Sequence, residues 1–276
     1  MSWTPPRLDE TVAVVTGASR GVGKGIALAL GEAGATVYVT GRSTVEETAA
    51  EVTARGGNGI PARTDHTDDE QVAALFDRVR RESGRIDVVV ANAWGGYENY
   101  DHETFASPFW KQPLSRWDSM FEAGLRAQYT TAHFAAPILL EQQRGVLVFT
   151  GGWDDPRYYL GSVLYDVSKN GTVRLVSVLA RELRPHGVAV VGVYPGFTRT
   201  EAVVDAFAAG GMEPPEETHS PEFVGRAVAH VAADPDVLAL SGSGAQTATY
   251  AQRYGFTDVD GRTILAFPMP EENRLG

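Results

Sequence analysis

Short, uniformly apolar runs alternate with amphipathic stretches along most of this chain. The first run, Val12–Val15, contains no polar residue, which is typical of a strand buried on both faces of a sheet. Similar runs predict seven strands, at residues 12–15, 35–40, 59–63, 86–91, 145–149, 187–194 and 237–240. Apolar residues at helical spacing lie between most of them. This alternation predicts an α/β fold, a doubly wound parallel sheet with helices on both faces.

The chain length favours one domain over two. Its 276 residues suffice for one large α/β unit, and no repeat or low-complexity segment divides them. We therefore predict a single domain over residues 1–276, with a tail at residues 1–8 and a C-terminal extension at residues 246–276. Residues 249–276 are expected to be irregular.

A glycine-rich turn joins the first strand to the first helix. Its glycines let the backbone turn tightly and approach a ligand where a Cβ would collide. The following helix directs free N–H groups and its positive dipole end at the same place, which favours an anion. The turn thus predicts a Rossmann-type pyrophosphate site, formed by Gly17, Ser19, Arg20, Gly21, Val22 and Gly23. The alternative is an ordinary strand-to-helix connection that is rich in glycine.

Composition and charge narrow the possible partners. A formal net charge of -11 and a pI near 5.0 argue against nucleic acid, because no basic patch is available for its phosphates. The absence of cysteine excludes disulfides, thiolate metal sites and cysteine nucleophiles. The histidines and the pair Asp154 and Asp155 lack the spacing of metal ligands, so no metal is expected. No segment resembles a leader or a membrane span, so a cytoplasmic location is the default expectation.

A candidate acid–base pair lies in the stretch YDVSK. Tyr165 and Lys169 are four residues apart on a predicted helix and therefore share a face. An ammonium beside a phenol favours the phenolate and lowers the pKa of the phenol. Such a pair can exchange a proton with an alcohol or carbonyl oxygen near neutral pH. The spacing alone is common on solvated helices, but its position after the fifth strand of a nucleotide-binding sheet favours catalysis.

Four motifs, in this order, resemble those of the short-chain dehydrogenase/reductase family over nearly the whole chain. TGASRGVG resembles the family's cofactor loop, ANA its Asn-Ala-Gly turn, YDVSK its catalytic pair and PGFTRT its Pro-Gly motif. The resemblance implies a dimer or tetramer that binds a nicotinamide cofactor and transfers hydride to a carbonyl or from an alcohol. It implies that Tyr165 is the catalytic acid/base and that Lys169 also binds the nicotinamide ribose. It implies further cofactor contacts at Asn92, Ala93, Pro195, Gly196, Thr198 and Thr200.

Three positions depart from the family's pattern. Gly152 stands thirteen residues before Tyr165, where the family has a catalytic serine. Gly124 aligns with an asparagine that supports a proton relay, and Trp94 stands where the Asn-Ala-Gly turn has glycine. Three segments are similar to those of the dehydrogenase/reductase member-one-like subgroup: PFWKQPLSRWD, GLRAQY and TYAQRYGFTDVDGR. The similarity of GLRAQY suggests that the missing asparagine is a feature of this subgroup. That subgroup retains the serine.

The missing serine removes a hydrogen-bond donor to the substrate oxygen. The loss of such a donor typically costs a few kcal/mol of barrier. Thr150 and Trp153 are the candidates to replace it, and Gly152→Ser is expected to improve activity. Two functions remain open: a short-chain dehydrogenase with weakened chemistry, and a cofactor-binding homologue that acts as a sensor or assembly partner.

The residues that follow the second and third strands favour NADP(H) over NAD(H). NAD-preferring relatives place an aspartate at the end of the second strand, where this chain has Gly41. Arginines near that point suit a 2′-phosphate, unless they are merely solvated. The aspartate after the third strand is expected to contact the adenine, or else to cap a turn. The residues expected at this end of the cofactor are Arg20, Arg42, Ser43, Asp65 and His66.

Aromatic residues are frequent in the loops that follow the strands, where ligands of such sheets bind. The loop at residues 92–115 is long enough to suggest a functional role. These aromatic side chains are predicted either to fill the loop's own core or to line an apolar substrate pocket. The residues expected to contact a small carbonyl or alcohol substrate are Trp94, Trp153, Tyr165 and Phe197.

Overall fold

Seven parallel strands form one sheet, as predicted. The computed structural model describes residues 3–96, 107–153, 155 and 157–275. The strands are β1 (Val12–Val15), β2 (Thr36–Gly41), β3 (Asn58–Arg63), β4 (Val88–Ala91), β5 (Gly145–Thr150), β6 (Val188–Tyr194) and β7 (Gly244–Gln246). Their order is β3-β2-β1-β4-β5-β6-β7. The order reverses between β1 and β4, which is where ligands of doubly wound sheets bind.

Helices connect the strands and cover both faces. They are α1 (Gly21–Glu32), α2 (Val45–Ala54), α3 (Asp69–Ser83), α4 (residues 115–142), α5 (Val163–Leu183), α6 (Glu201–Ala209), α7 (Pro221–Ala233), α8 (Val237–Leu240) and α9 (Thr247–Tyr254). Helix α4 consists of a short α-helical start at Ser115–Trp117, a π-helical stretch at Asp118–Arg126 and an α-helix at Ala127–Gln142. Among the described helices, none has the length and apolar character that crossing a membrane requires.

The core has two halves, one on each face of the sheet. Ala13 and Val15 of β1 belong to the half that includes α1 and α7, whereas Val12 and Val14 belong to the half that includes α3, α4 and α5. Successive strand residues point to opposite faces, so a strand covered on both sides must be apolar throughout. The uniform apolar pattern of β1 is therefore explained by its central position.

The predicted seventh strand is wrong. The run Val237–Leu240 forms the short helix α8, and β7 lies further on at Gly244–Gln246. Four apolar residues without alternation fit either a helix or a strand, so the pattern could not decide. The decisive feature is Gly244, where a Cβ would lie 2.2 Å from the hydroxyl oxygen of Tyr194. Glycine lets this segment approach and pair with β6.

The C-terminal extension is more ordered than expected. Helix α9 follows β7 directly, so the prediction of an irregular chain is wrong for residues 249–254. Tyr250 is buried and its hydroxyl donates to the carbonyl of Gly192 at 2.9 Å. Asp258 is also buried and accepts hydrogen bonds from the backbone and hydroxyl of Ser220 at the start of α7. These contacts fix the extension against β6 and α7.

Candidate functional site

A buried polar cluster holds the carboxyl ends of β1, β4 and β5 together. The hydroxyl of Thr16 donates to the carbonyl of Val90 at 3.1 Å and accepts from the backbone N–H groups of Asn92 and Ala93 at 2.8 and 2.9 Å. The side-chain amide of Asn92 donates to the carbonyl of Thr16 at 2.9 Å. Its amide oxygen accepts from the hydroxyl of Thr150 at 3.1 Å. We call this set Thr16, Asn92 and Thr150 the strand-end cluster.

The glycine turn lies directly against this cluster. Gly17 and Gly21 have φ values of +64° and +56°, in the left-handed region that favours glycine. A Cβ on Gly17 would lie 2.9 Å from Cα of Ala93, and one on Gly23 would lie 2.2 Å from the carbonyl oxygen of Gly17. The tight turn therefore requires glycine for its own backbone and for its contact with Ala93, while its approach to a ligand stays a prediction.

An acidic side chain occupies the N-terminus of α1. The N–H of Gly21 donates to a carboxylate oxygen of Glu201 at 2.9 Å. Thr200 is the N-cap residue of α6, and its methyl group would lie 3.4 Å from a Cβ on Gly21. Arg20 is the N-cap residue of α1, and Val22 packs against the core. Glu201 was not among the predicted site residues; the available signal was an acidic residue directly after the Pro-Gly motif.

The residues expected at the adenosine end lie at the ends of β2 and β3. Arg42 and Ser43 are exposed directly after β2. Ser19 lies close to Gly41, the last residue of β2, since a Cβ on Gly41 would be 3.3 Å from its hydroxyl oxygen. Asp65 accepts from the N–H and hydroxyl of Thr67 at 3.0 and 2.8 Å. Burial alone would raise the pKa of Asp65, but these hydrogen bonds and the charge of Arg42 hold it below its ordinary value. Arg42 and Asp65 thus act on one another across this edge.

The side chain of His66 points into the protein. Its Nε2 lies 2.7 Å from the hydroxyl of Thr40, and that hydroxyl already donates to the carbonyl of Val15. Nε2 must therefore carry the proton, which leaves Nδ1 with no partner among the described residues. Burial lowers the pKa of His66 to about 4. The imidazole is a neutral, structural group in this position.

Tyr165, Lys169 and Trp94 form a compact group at the start of α5. The ammonium of Lys169 lies 3.6 Å from the centroid of the Trp94 ring and 5.8 Å from that of Tyr165. The two rings meet edge to face, with centroids 5.9 Å apart and an interplanar angle of 82°. Burial lowers the pKa of Lys169 to about 7. The acid–base pair and the residue after Ala93 are therefore brought together beside the glycine turn.

One expected replacement for the missing serine, the hydroxyl of Thr150, already has another partner. The proton of the Thr150 hydroxyl is directed to Asn92, and this side chain is only 4% exposed. Trp153 packs edge to face on Phe267, with centroids 6.1 Å apart. A Cβ on Gly152 would lie 2.5 Å from Cβ of Lys169, so a serine there must displace the lysine. This collision argues against the prediction that Gly152→Ser improves activity.

A buried glutamine joins α4 to this region and was missed by sequence reasoning. Gln128 donates to the carbonyl of Thr150 at 3.2 Å and accepts from the hydroxyl of Thr172 at 2.7 Å. It thereby connects the end of β5 to α5. A polar residue within an otherwise apolar helical face, in GLRAQY, was the available signal.

The loop after β6 borders a cavity of about 640 Å³. Pro195, Gly196 and Phe197 line one side, and the C-terminal segment at residues 262–268 lines another. Thr198 is buried, and its hydroxyl has no hydrogen-bond partner in the described part of the chain. The carbonyl of Pro195 lies 2.6 Å from a ring nitrogen of His219. Of the predicted substrate residues, Phe197 lines this cavity, and Trp153 contacts its wall through Phe267.

Some predicted features fall outside the described residues. These are Asp154 and the part of the long loop at residues 97–106. Within the described ranges, no three histidine, aspartate or glutamate side chains are placed to hold a metal ion together.

The fold and this set of motifs define the class of protein. A sequence model of the short chain dehydrogenase family matches residues 11–209. The chain belongs to this family and has the fold of its oxidoreductases.

Known proteins resemble the chain over most of its length. Dehydrogenase/reductase SDR family member 1 from Mus musculus is 38% identical, with 96% of this chain and 90% of that protein covered. A short-chain type dehydrogenase/reductase from Mycobacterium marinum has a TM-score of 0.74 and 28% identity, covering 87% of this chain and 94% of that one. A metagenomic short-chain oxidoreductase in complex with NADP has a TM-score of 0.68 and 27% identity, covering 87% and 96%.

The buried neutral His66 predicts a loss of stability in acid. Its pKa is about 4 in the folded protein and 6.5 in the unfolded chain, so between these values the unfolded chain binds more protons. The free energy of unfolding therefore falls as the pH falls from 6.5 to 4, by up to about 3 kcal/mol from this group. His66→Gln should make that decline shallower, as measured by urea unfolding at pH 4.5 and 7. The exposed His186→Gln is the control, and equal pH dependence in wild type and His66→Gln would contradict the prediction.

Proposed function

We propose that this protein is an NADP-dependent oxidoreductase that transfers hydride between NADP(H) and a carbonyl or alcohol substrate, with Tyr165 as acid/base. The observation that carries the proposal is the contiguity of the site. Tyr165 and Lys169 pack on Trp94, and the preceding residue, Ala93, packs on Gly17 of the glycine turn. A cofactor on that turn would thus lie beside the acid–base pair. We also infer that the whole chain forms one cofactor-binding domain.

The described residues fit a nicotinamide dinucleotide. The N-terminus of α1 already binds an anionic oxygen, that of Glu201. A pyrophosphate bound there would replace this carboxylate. The hydroxyl of Thr198, which has no partner among the described residues, provides a hydrogen-bonding group in the loop after β6. Contacts from Ser19, Arg20, Val22, Asn92, Pro195, Gly196 and Thr200 remain part of the proposal.

The acid–base chemistry is assigned to two side chains. NADP(H), when bound, supplies or accepts the hydride. Tyr165 gives its phenolic proton to the substrate oxygen in reduction and takes one back in oxidation. The charged form of Lys169 stabilises the phenolate that remains after this transfer. Because its pKa is about 7, Lys169 can itself exchange protons near neutral pH.

The substrate oxygen has fewer donors here than the family pattern implies. Gly152 offers no hydroxyl, and the Thr150 hydroxyl is directed at Asn92. Tyr165 then positions the oxygen largely alone, which is expected to slow the chemistry but not to abolish it. The Trp94 ring packs edge to face on Tyr165, so the surroundings of the proposed acid are aromatic. We therefore infer that the substrates are rather apolar, activated carbonyl compounds or the matching alcohols.

Replacing the phenol tests the proposed acid directly. Tyr165→Phe should reduce NADPH-dependent reduction of activated ketones, aldehydes or quinones by about 10²–10⁴-fold, since general acid catalysis contributes this much. Binding of NADPH should stay within a few-fold of wild type by calorimetry. Tyr129→Phe, which removes an exposed phenol from α4, is the control. Equal turnover by wild type and Tyr165→Phe on every substrate of the panel would refute the assignment.

The second candidate function is a cofactor-binding homologue with little or no turnover, acting as a sensor or assembly partner. The specific observation that favours it is the glycine at position 152, where Lys169 fills the space of the missing side chain. This function is supported if NADPH binds tightly while no carbonyl of the panel is reduced above background.

The charges after β2 predict a preference for the phosphorylated cofactor. We expect NADPH to bind at least tenfold more tightly than NADH, about 1.4 kcal/mol, because Arg20 and Arg42 can pair with the 2′-phosphate. Arg42→Ala should narrow the difference, as measured by calorimetric titration of both cofactors. Arg55→Ala, at the opposite end of α2, is the control, since Arg55 pairs with Glu32 and Glu222. Equal affinities in the wild type would contradict the prediction.

An apolar stripe on α5 supports the inferred homo-oligomer. Val163, Val167 and Val178 lie along this helix and are 38%, 53% and 36% exposed. We propose that α4 and α5 pack against their copies across a two-fold axis. Val167→Asp should then yield monomers by light scattering, whereas Val259→Asp, at a position equally exposed on the C-terminal segment, should not. A wild-type monomer at micromolar concentration would refute the proposal.

A further inference from the structure

The indole of Trp94 occupies a slot between two glycines. A Cβ on Gly96 would lie 2.3 Å from Cζ2 of the ring, and a Cβ on Gly124 would lie 2.6 Å from Cζ3. Gly124 belongs to the π-helical stretch of α4. Irregular turns of this kind often occur at functional sites. Any larger side chain at either glycine would therefore push the ring out of its place.

The slot lies where the family pattern has another side chain. By the resemblance to the family, position 124 corresponds to its asparagine and position 94 to the glycine of its Asn-Ala-Gly turn. In the family's pattern the larger residue is at position 124 and glycine is at position 94, whereas this chain has glycine at 124 and tryptophan at 94. A side chain at position 124 would occupy the same space as the indole. The indole fills the volume that an asparagine at position 124 would require.

The face of the indole stabilises the charged form of Lys169. The ammonium is buried and 3.6 Å from the ring centroid, well within the range of a cation–π interaction. No carboxylate among the described residues pairs with it, and Tyr165 is the titratable group whose ring faces it. Burial acts against the charge, so the contact with the ring is what opposes this effect.

We propose that Trp94 is a positioning residue that holds the Lys169 ammonium beside Tyr165 and takes the structural place of the family's asparagine. The proposal rests on the proposed function for the role of Tyr165, but the contact itself does not depend on turnover. A Trp94 in this role would explain why the chain can have glycine at position 124: the indole, and not an asparagine, keeps the Lys169 ammonium in position.

Titration of Lys169 tests the contact without any assay of activity. The chain has only three lysines, Lys24, Lys111 and Lys169, so ¹³C-labelled lysine gives a simple NMR spectrum in which Lys169→Met identifies the signal. Fluorinated tryptophan weakens the negative face of the ring at nearly constant size. We expect the pKa of Lys169 to fall stepwise with fluorination, by about half a unit to one unit in total.

The matched control is the same fluorination series in Trp94→Phe, where the pKa of Lys169 should no longer respond. If fluorination leaves the pKa of Lys169 unchanged in the wild type, the proposal is overturned, whether or not the protein turns over a substrate. So would a response that persists in Trp94→Phe.

Exchanging the two residues tests the positional claim. Gly124→Asn collides with the ring, and Trp94→Gly leaves the lysine without its contact, so each should lower NADPH-dependent turnover. The double variant restores the family's arrangement and should regain part of the loss. If both single variants match the wild type, or if the double variant shows only their combined loss, the proposed replacement is wrong. Absence of turnover in the wild type would refute the proposed function and leave the titration as the test.

Discussion

The site depends on the buried hydrogen bonds that tie three strand ends together. Thr16, Asn92 and Thr150 satisfy one another at the carboxyl ends of β1, β4 and β5, where the backbone leaves the sheet and loses its ladder partners. Buried polar groups cost free energy unless they are paired, so moving these three loops apart would leave such groups unpaired. The glycine turn, Ala93 and Trp94 take their positions from this cluster.

The second constraint is the burial of a charge. Lys169 is enclosed by the Trp94 ring and by the backbone at Gly152, and burial brings its pKa to about 7. A lysine in this state can change its charge near neutral pH, unlike a solvated one. The glycine at position 152 therefore has two effects, since it removes a hydroxyl from the site and provides the space in which the lysine lies. A serine at position 152 would add a hydroxyl but would also collide with Lys169.

Glu201 connects the helix that follows the Pro-Gly motif to the glycine turn. It belongs to α6, which follows the Pro-Gly motif, yet its carboxylate binds the N-terminus of α1. A helix N-terminus attracts an anion of any origin, so the same groups that suit a pyrophosphate hold this side chain. The N–H group of Gly21, at the proposed cofactor turn, is thus occupied by a side chain of α6.

The sequence by itself determined the layout of the molecule. Uniform apolar runs such as Val12–Val15 indicated the sheet, and the glycines at positions 17, 21 and 23 indicated the tight turn after β1, because both follow from local rules of burial and backbone freedom. The sequence could not locate β7, since the short run Val237–Leu240 suits a helix or a strand equally and only the approach of Gly244 to Tyr194 decides.

Tertiary structure alone decided which distant side chains meet. It directed the Thr150 hydroxyl at Asn92, brought Glu201 to α1 and placed Trp94 against Gly124 and Lys169. These contacts join residues that are far apart in the chain, and their distances depend on how the helices pack on the sheet. Motif spacing carries no information about that packing, which is why it named the residues of the site but not their partners.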